Sequence, residues 1–169
     1  MPPPKWLIDY WKSESNWVKR FVRGSFELNM ILCGSKPHKD TIWKKSAVDE
    51  FLEYMPTIKQ QFKKKTKLYR GSTVISPTMH EACLEMDNCQ FMSTSKSLSI
   101  ANEFAGKKGY VHIFTCEKGV DFYDLEELYG DDGVKREKEV LLYPGCHLKL
   151  DKKNDNKLYW SVSNPNKTT

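Results

Sequence analysis

The stretch Arg136-Glu137-Lys138-Glu139-Val140-Leu141-Leu142-Tyr143-Pro144-Gly145 sets two carboxylates one residue apart at the entrance to a short apolar run. On a strand or extended segment that spacing sends both side chains to one face. The Val-Leu-Leu run fixes the register, because those residues need a core to pack against. Like charges held side by side on a sheet cost free energy, so the pair suits a site that stabilises a cation and positions a nucleophile. Taken alone, salt bridging to Lys135, Arg136 or Lys138 is the plainer reading. Residues 138–143 are therefore read as a strand, ended by a turn at Pro144-Gly145.

Outward from that strand, residues 68–75, 90–95, 110–116, 146–150 and 158–162 also read as strands. Pro77 opens a short helix with Met79, Ala82, Cys83 and Met86 on one face. A second helix starts near Ser97, with Leu98, Ala101, Phe104 and Ala105 turned inward. Residues 121–133 are acidic and glycine-bounded, and read as part helix and part loop. Upstream, Trp6, Leu7, Tyr10 and Trp11 have helical spacing, as do Trp17, Val18, Phe21 and Val22. Asp40 or Thr41 caps a further helix that runs to about Tyr54 and is closed by Pro56. Helices first, then many short strands with small helices between them, argue an α+β fold. The expectation is one domain over 1–169, mainly helical over 1–66 and mainly β over 67–163. No Gly-x-Gly-x-x-Gly occurs, so a doubly wound dinucleotide fold has no support.

The 169 residues are enough to bury a core without metal or disulfide staples. No apolar run is long enough to span a bilayer, and Met1 to Trp6 lacks the apolar stretch of a signal peptide. The expected setting is a cytosol, or a host cytosol reached by a route that needs no such signal. Cys33, Cys83, Cys89, Cys116 and Cys146 are odd in number and none has Cys-x-x-Cys spacing, so reduced thiols are expected. With four scattered histidines there is no metal constellation. The net charge of +5 is uneven: 1–67 hold 14 Lys/Arg against 7 Asp/Glu, and 68–169 hold 13 against 15. Lys63-Lys64-Lys65 with Lys67 is the densest basic cluster. It suits a solvated face, a polyanionic ligand of the nearby Arg70, or a nucleic-acid-binding module without catalysis.

Leu68-Tyr69-Arg70-Gly71 and Phe91-Met92-Ser93-Thr94-Ser95 make the carboxylate pair more specific. A strand arginine can fork onto phosphate oxygens, and the missing Cβ of Gly71 lets a flat ring approach the backbone. Taken alone, Arg70 is as readily a surface arginine beside a bulge. Ser93 and Ser95 share one strand face and Thr94 the other. Their hydroxyls can bond a carboxylate or a ribose, and Ser95 or Ser97 can equally cap the following helix.

These segments, with Ala101-Asn102-Glu103-Phe104-Ala105 and Glu137-Lys138-Glu139-Val140-Leu141-Leu142, resemble the Arg–Ser–Glu class of mono-ADP-ribosyltransferases over about residues 67–150. The resemblance implies a split, two-sheet α+β fold that binds NAD as co-substrate between the sheets, with no metal. It places Arg70, Gly71, Ser93, Thr94, Ser95 and Phe104 around NAD. Arg70 would grip phosphate or ribose, and Ser93 would orient the catalytic Glu139. Glu139 would stabilise the oxocarbenium-like ribose and Glu137 would meet an acceptor arginine of a target protein. Tyr129, Phe122 or Tyr123 would touch that target. The expected activity is ADP-ribose transfer by a monomer, with NAD glycohydrolysis as the rival outcome of the same site. Unlike the vertebrate ecto-enzymes, the chain shows no signal peptide and no paired cysteines, and it is too short for the second domain of bacterial actin toxins.

Overall fold

The computed structural model describes residues 28–41, 43–73, 85–124 and 138–164. The chain divides into two compact units, Met1–Lys59 and Gln60–Thr169. In the first unit, residues 28–32 are helical and helix α1 spans Lys45–Ile58. The α1 start lies later than its capping residues suggest, because the Thr41 hydroxyl accepts from Trp43 N at 2.9 Å and closes a turn ahead of the helix. Pro56 does not end α1 but sits inside its last turn, where its missing N–H removes only one bond near a frayed end. Trp43 and Val48 are buried. The helical stretches expected around 6–11 and 17–22 lie outside the described residues. The mainly helical reading of 1–66 is thus not carried as a whole, and a short strand falls inside it at Gln60–Gln61.

The second unit is mostly β. Its strands are β1 Gln60–Gln61, β2 Thr66–Ser72, β3 Glu85–Asp87, β4 Met92–Ser95, β5 Tyr110–Cys116, β6 Asp121–Asp124, β7 Glu139–Leu142, β8 His147–Asn154 and β9 Lys157–Ser163, with helix α2 at Leu98–Ala105. They hydrogen-bond in the order β1-β6-β7-β4-β2-β5-β9-β8-β3. Among the described strands only β5 and β9 run parallel. The strands thus form one formal sheet instead of two, but its middle link is thin. β2 meets β4 at a single register pair, Tyr69 opposite Ser95, whereas β2 meets β5 continuously from Thr66 opposite Cys116 to Ser72 opposite Tyr110. That seam between β2 and β4 takes the place of the expected split.

The main core lies on one side of the sheet and joins both flanks of the seam: Leu68, Met92, Phe114, Val140, Leu142, Leu158 and Trp160 all belong to it. On the other side α2 packs Ala101 and Ala105 against Val111 and Ile113. This contact is close enough to exclude any side chain at two glycines. A Cβ on Gly71 would stand 1.9 Å from Ala101 O, and one on Gly109 would stand 1.9 Å from Ala105 O. Only the alanine stripe of α2 therefore faces inward. Leu98 and Phe104, expected inside, are 37% and 53% exposed.

Two further expectations change. Met86 belongs to strand β3, not to a helix begun at Pro77, and 77–84 lie outside the described residues. Residues 121–124 form strand β6 because Asp121 and Phe122 pair with β1 on one side and Phe122, Tyr123 and Asp124 pair with β7 on the other; 125–133 lie outside the described residues. Cys33 and Cys89 are disulfide-bonded, against the expectation of reduced thiols. Sequence spacing gave no sign of it, since a disulfide requires proximity in space only. Cys116 and Cys146 are buried free thiols, pushed up to about 12 and about 11 chiefly by burial. No helix among the described residues is long and apolar enough to cross a membrane.

Candidate active site

Three strands bring the motif residues to the seam: β2 carries Arg70, β4 carries Ser93 and β7 begins at Glu139. The pairs Tyr69–Ser95 and Ser95–Glu139 set these strands side by side. Ser93 stands opposite Leu141, so Ser93 and Glu139 are diagonal neighbours on one face, within side-chain reach. The Ser93 hydroxyl donates to Glu139 Oε1 at 2.6 Å, and Arg70 Nη1 donates to Ser93 O at 2.7 Å. Arginine, serine and glutamate thus form one hydrogen-bonded line across the seam.

Burial gives that line its chemical character. Glu139 is only 7% exposed, so its carboxylate acts in a medium that screens charge poorly. Burial pulls Arg70 below its ordinary pKa, while the Glu139 carboxylate pulls it the other way; as an arginine it remains a cation. A part-buried cation and a buried carboxylate joined through one serine can hold a diphosphate with the first and a sugar hydroxyl or developing positive charge with the second. This donor set fits NAD. Among the described residues no group of three or more His, Cys, Asp or Glu is arranged to hold a metal ion.

The other motif hydroxyls serve the scaffold. Thr94 Oγ1 donates to Val140 O at 2.6 Å and pins β4 to β7. Ser95 Oγ accepts from Ser97 N at 3.0 Å, and Ser97 Oγ caps α2 by accepting from Ile100 N at 3.5 Å. The space above Gly71 that was expected to admit a ring is taken by α2, so this glycine answers first to helix packing. Phe104 stands exposed on α2. Glu137 and Tyr129 lie outside the described residues. Tyr123 is fully buried against Phe91 and Tyr143, at ring separations of 5.9 and 5.8 Å, and Phe122 stacks on Phe62 at 4.0 Å. The fully buried Tyr123 ring is not presented to a target protein, which corrects its expected contact role, whereas Phe122 is only partly buried. Lys63, Lys64, Lys65 and Lys67 are exposed, and Lys65 lies 3.5 Å from Glu117.

Sequence reasoning missed two polar groups beside the site. Trp160 Nε1 donates to His112 Nδ1 at 3.1 Å, and His112 Nε2 lies 3.3 Å from Ser72 Oγ. His112 stands directly across from Arg70 in the sheet, a neighbour that only the pairing of distant strands reveals. The second is Lys96, whose Nζ bonds Asp124; its place directly after Ser95 was the available signal.

With this geometry in place, the fold is that of the mono-ADP-ribosyltransferase toxins. Vis, an ADP-ribosyltransferase from Vibrio splendidus solved with an M6 inhibitor, is 17% identical with a TM-score of 0.60, over 95% of this chain and 76% of that one. BECa, an ADP-ribosylating toxin of C. perfringens solved with NADH, is 17% identical with a TM-score of 0.64, over 94% of this chain and 45% of that one. The C3 exoenzyme of Clostridium limosum is 14% identical with a TM-score of 0.57, over 91% and 88%. At these identities the likeness establishes the fold. No family model matches the chain, and comparison with curated proteins gives no match.

Proposed function

We propose that this chain transfers ADP-ribose from NAD to an arginine side chain of a protein and releases nicotinamide. The observation that carries this reading is the line Arg70–Ser93–Glu139 at the seam of a toxin-type ADP-ribosyltransferase fold. Arg70 holds the diphosphate, and Ser93 aims Glu139 at the ribose. The bond from ribose C1′ to the nicotinamide nitrogen breaks, and its electron pair leaves with neutral nicotinamide. Positive charge develops at C1′, where Glu139 stabilises it. A guanidinium nitrogen of the acceptor then bonds to C1′ and loses a proton, which Glu137 is placed two residues earlier in sequence to accept.

Arginine as acceptor is supported by the Glu137-x-Glu139 spacing. It is also supported by the crystal structure of Vis with agmatine, a small guanidinium compound, on a chain with a TM-score of 0.54 to this one. The disulfide-bonded Cys33 and Cys89 favour passage through an oxidising compartment at some stage.

The test is incubation with adenine-labelled NAD and agmatine, followed by mass analysis. Labelled ADP-ribosyl-agmatine is expected. Free ADP-ribose alone would assign a glycohydrolase instead. No NAD turnover, together with nucleic-acid binding that falls steeply with salt, would replace the enzyme reading with the basic module.

A further inference from the structure

His112 is a buried polar side chain that the chemistry above leaves without a task. It is 9% exposed, and its ring stacks on Phe114 at 6.0 Å and on Trp160 at 6.2 Å. An imidazole in such apolar surroundings is costly unless its ring nitrogens are bonded. Both have partners: Trp160 Nε1 donates to Nδ1 at 3.1 Å, and Nε2 lies 3.3 Å from Ser72 Oγ. Those contacts fix the direction of the protons. An indole N–H only donates, so Nδ1 carries no proton and the neutral ring holds its proton on Nε2. His112 therefore donates to Ser72, and the Ser72 hydroxyl must turn its own proton toward another acceptor. Two donors in series make Ser72 a donor and polarise its O–H bond.

The place of Ser72 in the sheet says what that acceptor is. Arg70 and Ser72 stand two residues apart on β2, so their side chains leave one face, about 7 Å apart along the strand. His112 stands opposite Arg70 and Tyr110 opposite Ser72, which makes Ser72 and His112 diagonal neighbours on that face. Ser72 closes β2 and is only partly buried, so it can be reached by a bound molecule where His112 cannot. Gly71 between the two is closed off by α2. Neither β2 nor β5 contains an acidic residue, so neither strand repels an anion. A guanidinium and a polarised hydroxyl donor on one strand face match a ligand with several anionic oxygens.

We propose that Ser72 is a second binding residue for the diphosphate of NAD, beside Arg70, and that His112 and Trp160 are positioning residues that hold its hydroxyl as a donor. The proposal rests on the NAD reading of the same site. The diphosphate stays intact when the bond at C1′ breaks, so the Ser72 contact is present before, during and after the chemical step. Loss of such a uniform contact weakens nucleotide binding and leaves the rate of the bound complex nearly unchanged.

The experiment measures binding of NAD, ADP-ribose and adenosine by titration calorimetry to wild type, Ser72→Ala and Ser72→Thr, with NAD turnover in parallel. Ser72→Ala is expected to weaken NAD and ADP-ribose binding by about tenfold, the worth of one hydrogen bond to a charged group. KM for NAD rises by a similar factor at nearly constant kcat, and adenosine binding does not change. Ser72→Thr, which keeps the hydroxyl, restores both. Wild-type affinity in Ser72→Ala, or a loss that falls on kcat alone, overturns the proposal. Nitrogen NMR of the His112 ring supplies a readout that needs no variant. The ring carries its proton on Nε2, and the Nε2–H signal moves on addition of ADP-ribose but not of adenosine. A proton on Nδ1, or a signal that ignores ADP-ribose, overturns the proposal. A wild type that binds ADP-ribose through Ser72 but consumes no NAD would sink the transferase reading and leave the diphosphate site standing. A wild type that binds neither nucleotide overturns both.

Discussion

Ser93 serves two partners at once: its carbonyl accepts from Arg70 and its hydroxyl donates to Glu139. The serine thereby fixes the distance between a cation and a carboxylate that water would otherwise separate. Glu139 and Glu137 have separable tasks on this account. Glu137→Gln should lower transfer to agmatine by about tenfold or more while hydrolysis of NAD stays much closer to wild type, since the amide keeps the shape but takes no proton. Parallel assays of the two reactions check this, and equal losses would contradict it. At this scale the sequence was informative about Arg70, Ser93 and Glu139 because three short motifs in a fixed order carry their own chemistry. The division of labour among Thr94, Ser95 and Ser97 was not legible. Each hydroxyl could cap a helix or hold a neighbouring strand, and the choice depends on β7, which is remote in sequence.

Helix α2 and strand β2 are locked by the absence of a side chain at Gly71. A methyl there meets a backbone carbonyl that cannot turn away, so Gly71→Ala should cost about 3 kcal/mol of unfolding free energy, measured in denaturant. A loss of activity with unchanged stability would instead point to the nucleotide as the group that needs this space. The edge strand β3 depends on charge. His147 on β8 has Nδ1 2.8 Å from Asp87 Oδ1 and Nε2 2.6 Å from Glu85 Oε1. Those hydrogen bonds, Asp87 first, raise its pKa above the ordinary imidazole value. A raised value in the folded state means stability that is complete below about pH 6.5 and is lost as pH climbs through the raised value. The difference in thermal midpoint between wild type and His147→Gln should therefore shrink as pH rises from about 6 to about 9. A difference that grows would contradict the assignment. Strand β5 was legible to the residue because Tyr110, Val111, Ile113, Phe114 and Cys116 crowd strand-forming apolar residues into seven positions. Strands β1, β3 and β6 were not, because their polar residues form strands only through neighbours supplied from elsewhere in the chain.

The second unit is organised by its thinnest joint. A sheet core runs beneath both flanks of the seam, while on the seam itself only Tyr69 and Ser95 pair. Side chains from three strands converge there. This arrangement follows from the pairing of strands far apart in sequence, which no local pattern encodes. What the sequence did convey was the order of the motifs, and with it the class of fold. That Cys33 and Cys89 are disulfide-bonded also left no mark on their spacing in sequence. The central claim is that Glu139, aimed by Ser93, cleaves the nicotinamide–ribose bond. Nicotinamide release from NAD by wild type and by Glu139→Gln tests it most directly. The account predicts steady release by the wild type and a fall of about a hundredfold or more in the variant, at unchanged thermal midpoint. Wild-type release rates in Glu139→Gln would contradict it.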